Sequence, residues 1–252
     1  MPEGLEAEIY ARAAHQVISR RINSVVVDPL CGDGDLLGRL VSADVRAVSR
    51  HGKHVLVDTT RGRLDLHFGM TGRLIVDGSA AIQQLEYGAR RDDPAWDRLV
   101  VSFDRGEMRV SDPRRFSRHH LDPELDLGVD LLAPVDQIAD ALQGVSRRRG
   151  SVKGVLLDQR VIAGLGNLCV DEVLFHTGVA PSTPMCEVAD LNRLAEVIAT
   201  TMPAMLVAGG SHTGDTGPGH RDGDGRCALD GTPLVRSMVA GRATVSCPTH
   251  QR

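Results

Sequence analysis

Apolar positions change their period twice along this 252-residue chain. Leu5, Ile9, Ala13 and Val17 recur every four residues and predict an amphipathic helix over residues 3–19. From Ile22 to Phe116 the spacing shortens. Val25-Val26-Val27, Val55-Leu56-Val57, Leu64/Leu66/Phe68, Leu74-Ile75-Val76, Leu99-Val100-Val101 and Met108/Val110 are brief apolar runs. Turn signals such as Arg61-Gly62 and Asp104-Arg105-Gly106 separate them. Strands this short at this rhythm predict a β-sandwich or barrel.

Residues 120–135 are acidic, contain Pro123 and Pro134, and read as linker. From Asp136 the period turns helical, with Ile138/Ala141/Leu142, Val152/Val155/Leu156 and Val170–Phe175. A longer helix is predicted over Leu191–Val207, kinked at Pro203. After Gly209-Gly210 comes a loop dense in Gly, Asp and His, then a β-hairpin in 226–252 flanked by paired metal-ligand residue types. The expected class is α+β: a β-sandwich with an opening helix over 1–125, a linker over 126–145, a helical domain over 146–210, and a loop with a terminal hairpin over 211–252.

Composition narrows the picture. At 42% hydrophobic and 25% charged the chain has ordinary soluble-protein balance, and with 3% aromatics its core must be Val, Leu, Ile and Ala. No apolar run approaches the ~18 residues of a membrane span. The start, MPEGLEAEIY, has acids where a secretory signal carries Lys or Arg, so a cytoplasmic protein is expected. Five cysteines, an odd number, argue against a disulfide framework. A net charge of −4 weighs against a nucleic-acid partner. The segment with Arg147, Arg148, Arg149, Lys153 and Arg160 carries one acid, Asp158, so a basic face can still be assembled locally.

Two local features carry chemistry. Met1-Pro2-Glu3 is an N-terminus from which methionine is normally removed, leaving the secondary amine of Pro2. An α-amino group has a pKa of roughly 8, so much more of it is neutral and nucleophilic at pH 7 than of a lysine. Its attack on a sugar aldehyde carbon gives an iminium, with Glu3 beside it as a general acid. Taken alone, Met-Pro is a common opening. The second feature is Val161-Ile162-Ala163-Gly164-Leu165-Gly166-Asn167, where two glycines flank one apolar residue between helices. Such a turn brings backbone and the Asn167 amide close to a phosphate, or forms an ordinary helix corner.

Taken together and in this order, these motifs resemble the formamidopyrimidine-DNA glycosylase / endonuclease VIII family nearly end to end. The resemblance implies a bifunctional DNA glycosylase and abasic-site lyase of base excision repair, a hydrolase and a lyase at once. On this resemblance the expected partner is damaged double-stranded DNA, bound by a monomer, with no membrane expected. Pro2 matches the nucleophile, Glu3 its accompanying acid, Glu6 a further acid, and Lys53 the lysine that contacts a phosphate and assists elimination. Asn167 and Arg242 match the pair that grips the lesion's phosphates. A base cannot be excised inside the stack, and Met70, Arg114 and Phe116 match the side chains that fill its place. Outside this context, Met70 and Phe116 would be read as core.

The sequence departs from the pattern in two places. Gly4-Leu5 stands where the family often has Leu-Pro, and with His220-Arg221-Asp222-Gly223 it is similar to the endonuclease VIII side, which favours oxidised pyrimidines. The loop between Gly209 and Cys227 is also short for a cap over oxidised guanine. In the terminal finger the family pattern is two pairs of cysteines. Here the pairs read Cys227/Asp230 and Cys247/His250. Two thiolates, an imidazole and a carboxylate make an acceptable structural zinc set, with His212 or His220 as substitutes for Asp230 and a metal-free hairpin as the alternative. A family member that binds DNA without excising bases is the competing functional reading, and a protein-binding module is a third.

Overall fold

The opening pattern folds as α1 (Gly4–Ala14) and a 3-10 turn at His15–Val17, and the helix buries Leu5, Ala7, Tyr10, Ala11 and Ala14. The computed structural model describes residues 2–83, 85, 91–221 and 223–252. Met1 and Asp222, both in motifs noted above, lie outside the described residues. The chain divides into two units, Met1–Leu125 and Asp126–Arg252.

In the first unit the short apolar runs become strands: β1 (Ile22–Val27), β2 (Val45–His51), β3 (His54–Thr59), β4 (Gly62–His67), β5 (Arg73–Val76), β6 (Ser79–Ala80), β7 (Asp97–Phe103), β8 (Glu107–Ser111) and β9 (Arg118–Leu121), with a short α2 (Gly34–Gly38) after β1. They form two antiparallel sheets in the orders β1-β7-β8-β5-β6 and β2-β3-β4-β9. Alternation sends Leu64 and Leu66 of β4, with Val55 and Val57 of β3, into the core shared with Leu74, Leu99, Val101 and Val110 of the other sheet. Tyr10 of α1 reaches the same core, its ring 4.5 Å from that of Phe68.

The second unit holds β10 (Val129–Asp130), α3 (Val135–Gly144), α4 (Val152–Leu156), β11 (Ile162–Ala163), α5 (Asn167–Thr177), α6 (Leu191–Ala208), and the hairpin β12 (Val235–Val239) and β13 (Arg242–Ser246). Residues 126–145 are therefore not linker. β10 pairs in parallel with β11, and α3 packs on α6 with Ile138 and Leu142 buried. The segment carries one proline and four aspartates, but one apolar residue per helical turn suffices to dock a helix. Pro203 lies inside the 18-residue α6, which continues past it to Ala208. Asp190 caps α6, its carboxylate accepting from the Arg193 N–H at 2.8 Å. All five cysteines are free thiols. Among the described residues no single helix is long and apolar enough to cross a membrane.

Two histidines of the first unit are held neutral, His119 fully buried and His67 half-buried. Burial pushes His119 on β9 down to about 3, and neither of its ring nitrogens has a partner among the described residues. Burial, reinforced by the charge of His54, pushes His67 on β4 down to about 4. In the unfolded chain both protonate near ~6.5. The unfolded state therefore binds more protons between that value and the folded values, and stability falls as pH drops through this window. The slope is at most ~1.4 kcal/mol per pH unit for each histidine. We expect urea unfolding of the wild type to lose more stability between pH 7 and pH 5 than that of His119→Leu. Equal losses would exclude His119 as a source of the acid sensitivity.

Candidate functional site

In the first unit the sequence-predicted residues sit on α1 and on the loops that touch it. Pro2 and Glu3 are buried at the start of α1, and Glu6 closes a capping box by accepting the Glu3 N–H at 2.8 Å. Glu6 thus fixes the backbone direction of Pro2-Glu3. Lys53, half-buried, lies in the two-residue turn between β2 and β3, where Gly52 takes φ +57° and β-branched or bulky residues would be strained. Arg50 ties this turn to the helix. Its Nη1 donates to the Gly52 carbonyl at 3.0 Å and its Nε to Glu8 of α1 at 2.9 Å. Burial would raise the Glu8 carboxyl, but hydrogen bonds from Arg50 and Arg12 outweigh it and hold it below the usual range.

Met70, half-buried, follows β4 in the loop Phe68–Gly72, and Tyr10 of α1 donates to the Gly72 carbonyl at 3.2 Å. Arg114 and Phe116 project from the loop between β8 and β9. Phe116 is 43% exposed, and the Arg114 guanidinium lies 4.9 Å from the centre of its ring. The two loops touch at Gly69, where a Cβ would stand 2.5 Å from the Phe116 carbonyl group. Met70, Arg114 and Phe116 are thus neighbours, and none of them is core.

Asp112 organises this loop. It is wholly buried, and its carboxylate accepts the N–H groups of Arg114 (3.1 Å), Phe116 (2.7 Å) and Ser117 (2.8 Å) and the Thr71 hydroxyl. Arg115 takes a left-handed φ of +58° between them. The sequence signal was present in the Asp112-Pro113 step, which favours a side-chain-closed turn.

In the second unit Asn167 opens α5, and its Nδ2 donates to the Ala243 carbonyl at 2.9 Å, next to the exposed Arg242 at the start of β13. Asn167 and Arg242 are therefore brought together. Gln159 shapes the turn before α5, donating to the Leu157 and Leu165 carbonyls and accepting the Gly164 N–H at 3.0 Å. Beneath lies Lys153, counted above among surface cations but fully buried. Its Nζ donates to Asp171 at 2.6 Å and to the Thr244 hydroxyl at 2.7 Å. Asp171 also accepts from Arg221 (2.5 Å) and the Val245 N–H (3.2 Å). The basic segment shrinks further because Arg148 pairs with Asp158 at 2.9 Å.

The finger residues Cys227, Asp230, Cys247 and His250 converge, with one ligand atom from each lying within 4.8 Å of every other. Cys227 Sγ is 3.3 Å from His250 Nδ1, and Cys247 Sγ is 3.5 Å from Asp230 Oδ2. Ligand atoms around a tetrahedral zinc ion stand roughly 3.3–3.8 Å apart, given bonds of about 2.0–2.3 Å. His250 Nε2 lies 3.0 Å from the Phe175 carbonyl, which leaves Nδ1 for the cluster. Asp230 is held at about 2, first by the Thr232 N–H, and so enters as a carboxylate. This set can hold a metal ion. His212 and His220 take no part in it.

Comparison with known proteins agrees with this geometry. Residues 1–119 match the formamidopyrimidine-DNA glycosylase N-terminal domain, and residues 127–216 match the H2TH domain of the same proteins. Formamidopyrimidine-DNA glycosylases from Rhizorhabdus wittichii and Geotalea uraniireducens are 32% and 35% identical, with 99% and 98% of this chain covered and 96% and 98% of theirs. Among solved structures, Lactococcus lactis Fpg with abasic-site DNA superposes with a TM-score of 0.80 at 23% identity, covering 99% of each chain. The same protein with DNA containing FAPY-dG gives 0.80 at 22%, covering 98% of this chain and 99% of that one. These likenesses establish the fold.

Removing the Asp112 carboxylate leaves several loop donors without acceptors, each worth ~1–3 kcal/mol when buried. We expect Asp112→Ala to lose about 3 kcal/mol in urea unfolding, with Asp112→Asn in between. A loss below about 1 kcal/mol, the range of ordinary surface changes, would contradict the organising role.

Proposed function

The chain belongs to the formamidopyrimidine-DNA glycosylase family, and from that premise we propose that it removes a damaged base from double-stranded DNA and then cuts the abasic strand. The observation that carries this reading is the convergence on α1: Pro2 and Glu3 at its buried start, and the Lys53 turn latched to it through Arg50. Once Met1 is removed, the Pro2 nitrogen attacks C1′ of the deoxyribose. The glycosidic bond breaks and the base departs with the proton lost from the Pro2 nitrogen, leaving a ring-closed aminal. The C1′–O4′ bond then opens with a proton delivered to O4′ by Glu3, and the open sugar remains as an iminium on Pro2. The iminium accepts the electron pair released when a proton leaves C2′, and the 3′ phosphate is expelled. Lys53 steadies that phosphate.

Met70, Arg114 and Phe116 occupy the gap left by the everted nucleotide, since an apolar or stacked wedge offsets the lost base stacking. Asn167 retains one amide proton for a phosphate oxygen, and Arg242 adds a guanidinium fork. The preferred lesions are oxidised pyrimidines, because the loop over residues 209–226 is short and is pinned to α5 at Thr216 and Arg221. Cys227, Asp230, Cys247 and His250 hold a structural zinc ion that shapes the finger carrying Arg242. The enzyme acts as a monomer on DNA.

Duplexes with one oxidised pyrimidine, one oxidised purine or one abasic site test the assignment. The wild type should release the pyrimidine lesion best and nick the abasic duplex. Glu3→Gln should lose base release by about 100-fold or more while still nicking the abasic site, because its Pro2 amine is intact. Tight binding without release of either base would favour the binding-only family member.

A further inference from the structure

A second group of metal-ligating side chains lies away from the finger cluster. Glu172 and His176 are one turn apart on α5, and Asp215 approaches from the loop that follows α6. One ligand atom from each lies within 4.8 Å of the other two. His176 Nε2 is 2.8 Å from Glu172 Oε1 and 3.8 Å from Asp215 Oδ2. These separations bracket the ~3.3 Å expected between nitrogen and oxygen ligands bonded at about 2.0–2.1 Å to one tetrahedral ion. A shift of about half an ångström in each direction suits them to a shared cation.

The group is also built as a site. Glu172 is buried, and its orientation is fixed by the N–H groups of Asp215 (2.9 Å) and Thr216 (2.9 Å) and by the Thr216 hydroxyl (2.8 Å). His176 and Asp215 are partly exposed, so an ion can enter from solvent. Beside them is an open cavity of about 350 Å³, also lined by Thr200, Thr201 and Thr213, with room for water as a fourth ligand. One imidazole and two carboxylates, with no thiolate, form a harder ligand set than the finger's.

We infer that Glu172, His176 and Asp215 form a second, solvent-accessible site for a divalent transition-metal ion of the zinc type, which clamps the 209–226 loop to α5. The bound ion takes the place of the hydrogen between His176 and Glu172, with Nε2 as the metal-binding nitrogen. Glu172 keeps its backbone contacts, so the ion adds a link between helix and loop without rebuilding either. The loop leads directly into Cys227, so occupancy of this site stiffens the approach to the finger.

The test is metal binding by the full chain, using zinc(II) in competition with a chromophoric chelator and cobalt(II) as a spectroscopic probe. Wild type should bind one more equivalent of zinc than His176→Ala, and Asp215→Asn should weaken that equivalent by about tenfold or more. The cobalt(II) equivalent lost in His176→Ala should carry no thiolate-to-metal charge-transfer band, which separates it from binding at the finger. His176→Gln, closer in size and polarity, serves where alanine disturbs the helix, with thermal unfolding checking that each variant is folded. The same zinc stoichiometry and affinity in wild type and both His176 variants would overturn the second site. So would a thiolate signature on the equivalent that is lost.

Discussion

The ion pair between Lys153 and Asp171 is the contact on which the second unit depends. Both side chains are fully buried, and a lone charge there would cost several kcal/mol. Each partner therefore requires the other, and the remaining polar capacity of the pair is spent on the finger. Lys153 also donates to Thr244, and Asp171 accepts from Val245 and Arg221. One interaction thereby docks α4, α5, β13 and the loop before the finger together. Glu172, the next residue, extends the arrangement by holding Asp215 and Thr216. Arg242 and Asn167 owe their proximity to this docking, because Asn167 reaches Ala243 only when β13 lies against α5.

The first unit solves the same problem with different residues. Its chemistry-bearing groups sit on turns, where backbone N–H groups lack strand partners and must be satisfied otherwise. Asp112 satisfies three of them around Arg114 and Phe116, and Glu6 satisfies the one at Glu3. Arg50 does the complementary work for a carbonyl at Gly52. The result is a set of short loops anchored to α1, with flexible side chains displayed on fixed backbone. Preorganisation of this kind lowers the cost of ordering these loops at the moment of binding.

The strands and helices were legible because burial imposes a period on the sequence. Leu64/Leu66 declare a strand and Leu5/Ile9/Ala13 a helix without any knowledge of partners, although Ile9 and Ala13 are only partly buried and Ala7, Tyr10, Ala11 and Ala14 complete the buried face. Of the candidate site, Pro2-Glu3 and the turn before Asn167 offered local signals, whereas Lys53 and Met70 were legible only through resemblance, having no local feature that distinguishes them from a solvated lysine and a core methionine. Of the supporting residues only Asp112 left a local signal, in its step to Pro113. Lys153 looked like one more surface cation, and only the fold brings Asp171, 18 positions away, and Thr244, 91 positions away, to its ammonium group. The linker reading over 126–145 failed for a different reason: Ile138 and Leu142 stood at helical spacing, but only the fold supplies α6 as the surface on which α3 docks.

The central claim is that a free amine at Pro2 is the nucleophile, supported by its buried place at the head of α1 and by membership in the family. Borohydride trapping on duplex DNA with a single abasic site tests it most directly, with the covalent adduct mapped by peptide mass and compared with Pro2→Gly. The account predicts a trapped adduct on Pro2 in the wild type. A wild-type chain shown by N-terminal sequencing to begin at Pro2, yet giving no adduct or one that maps to a lysine, would contradict it.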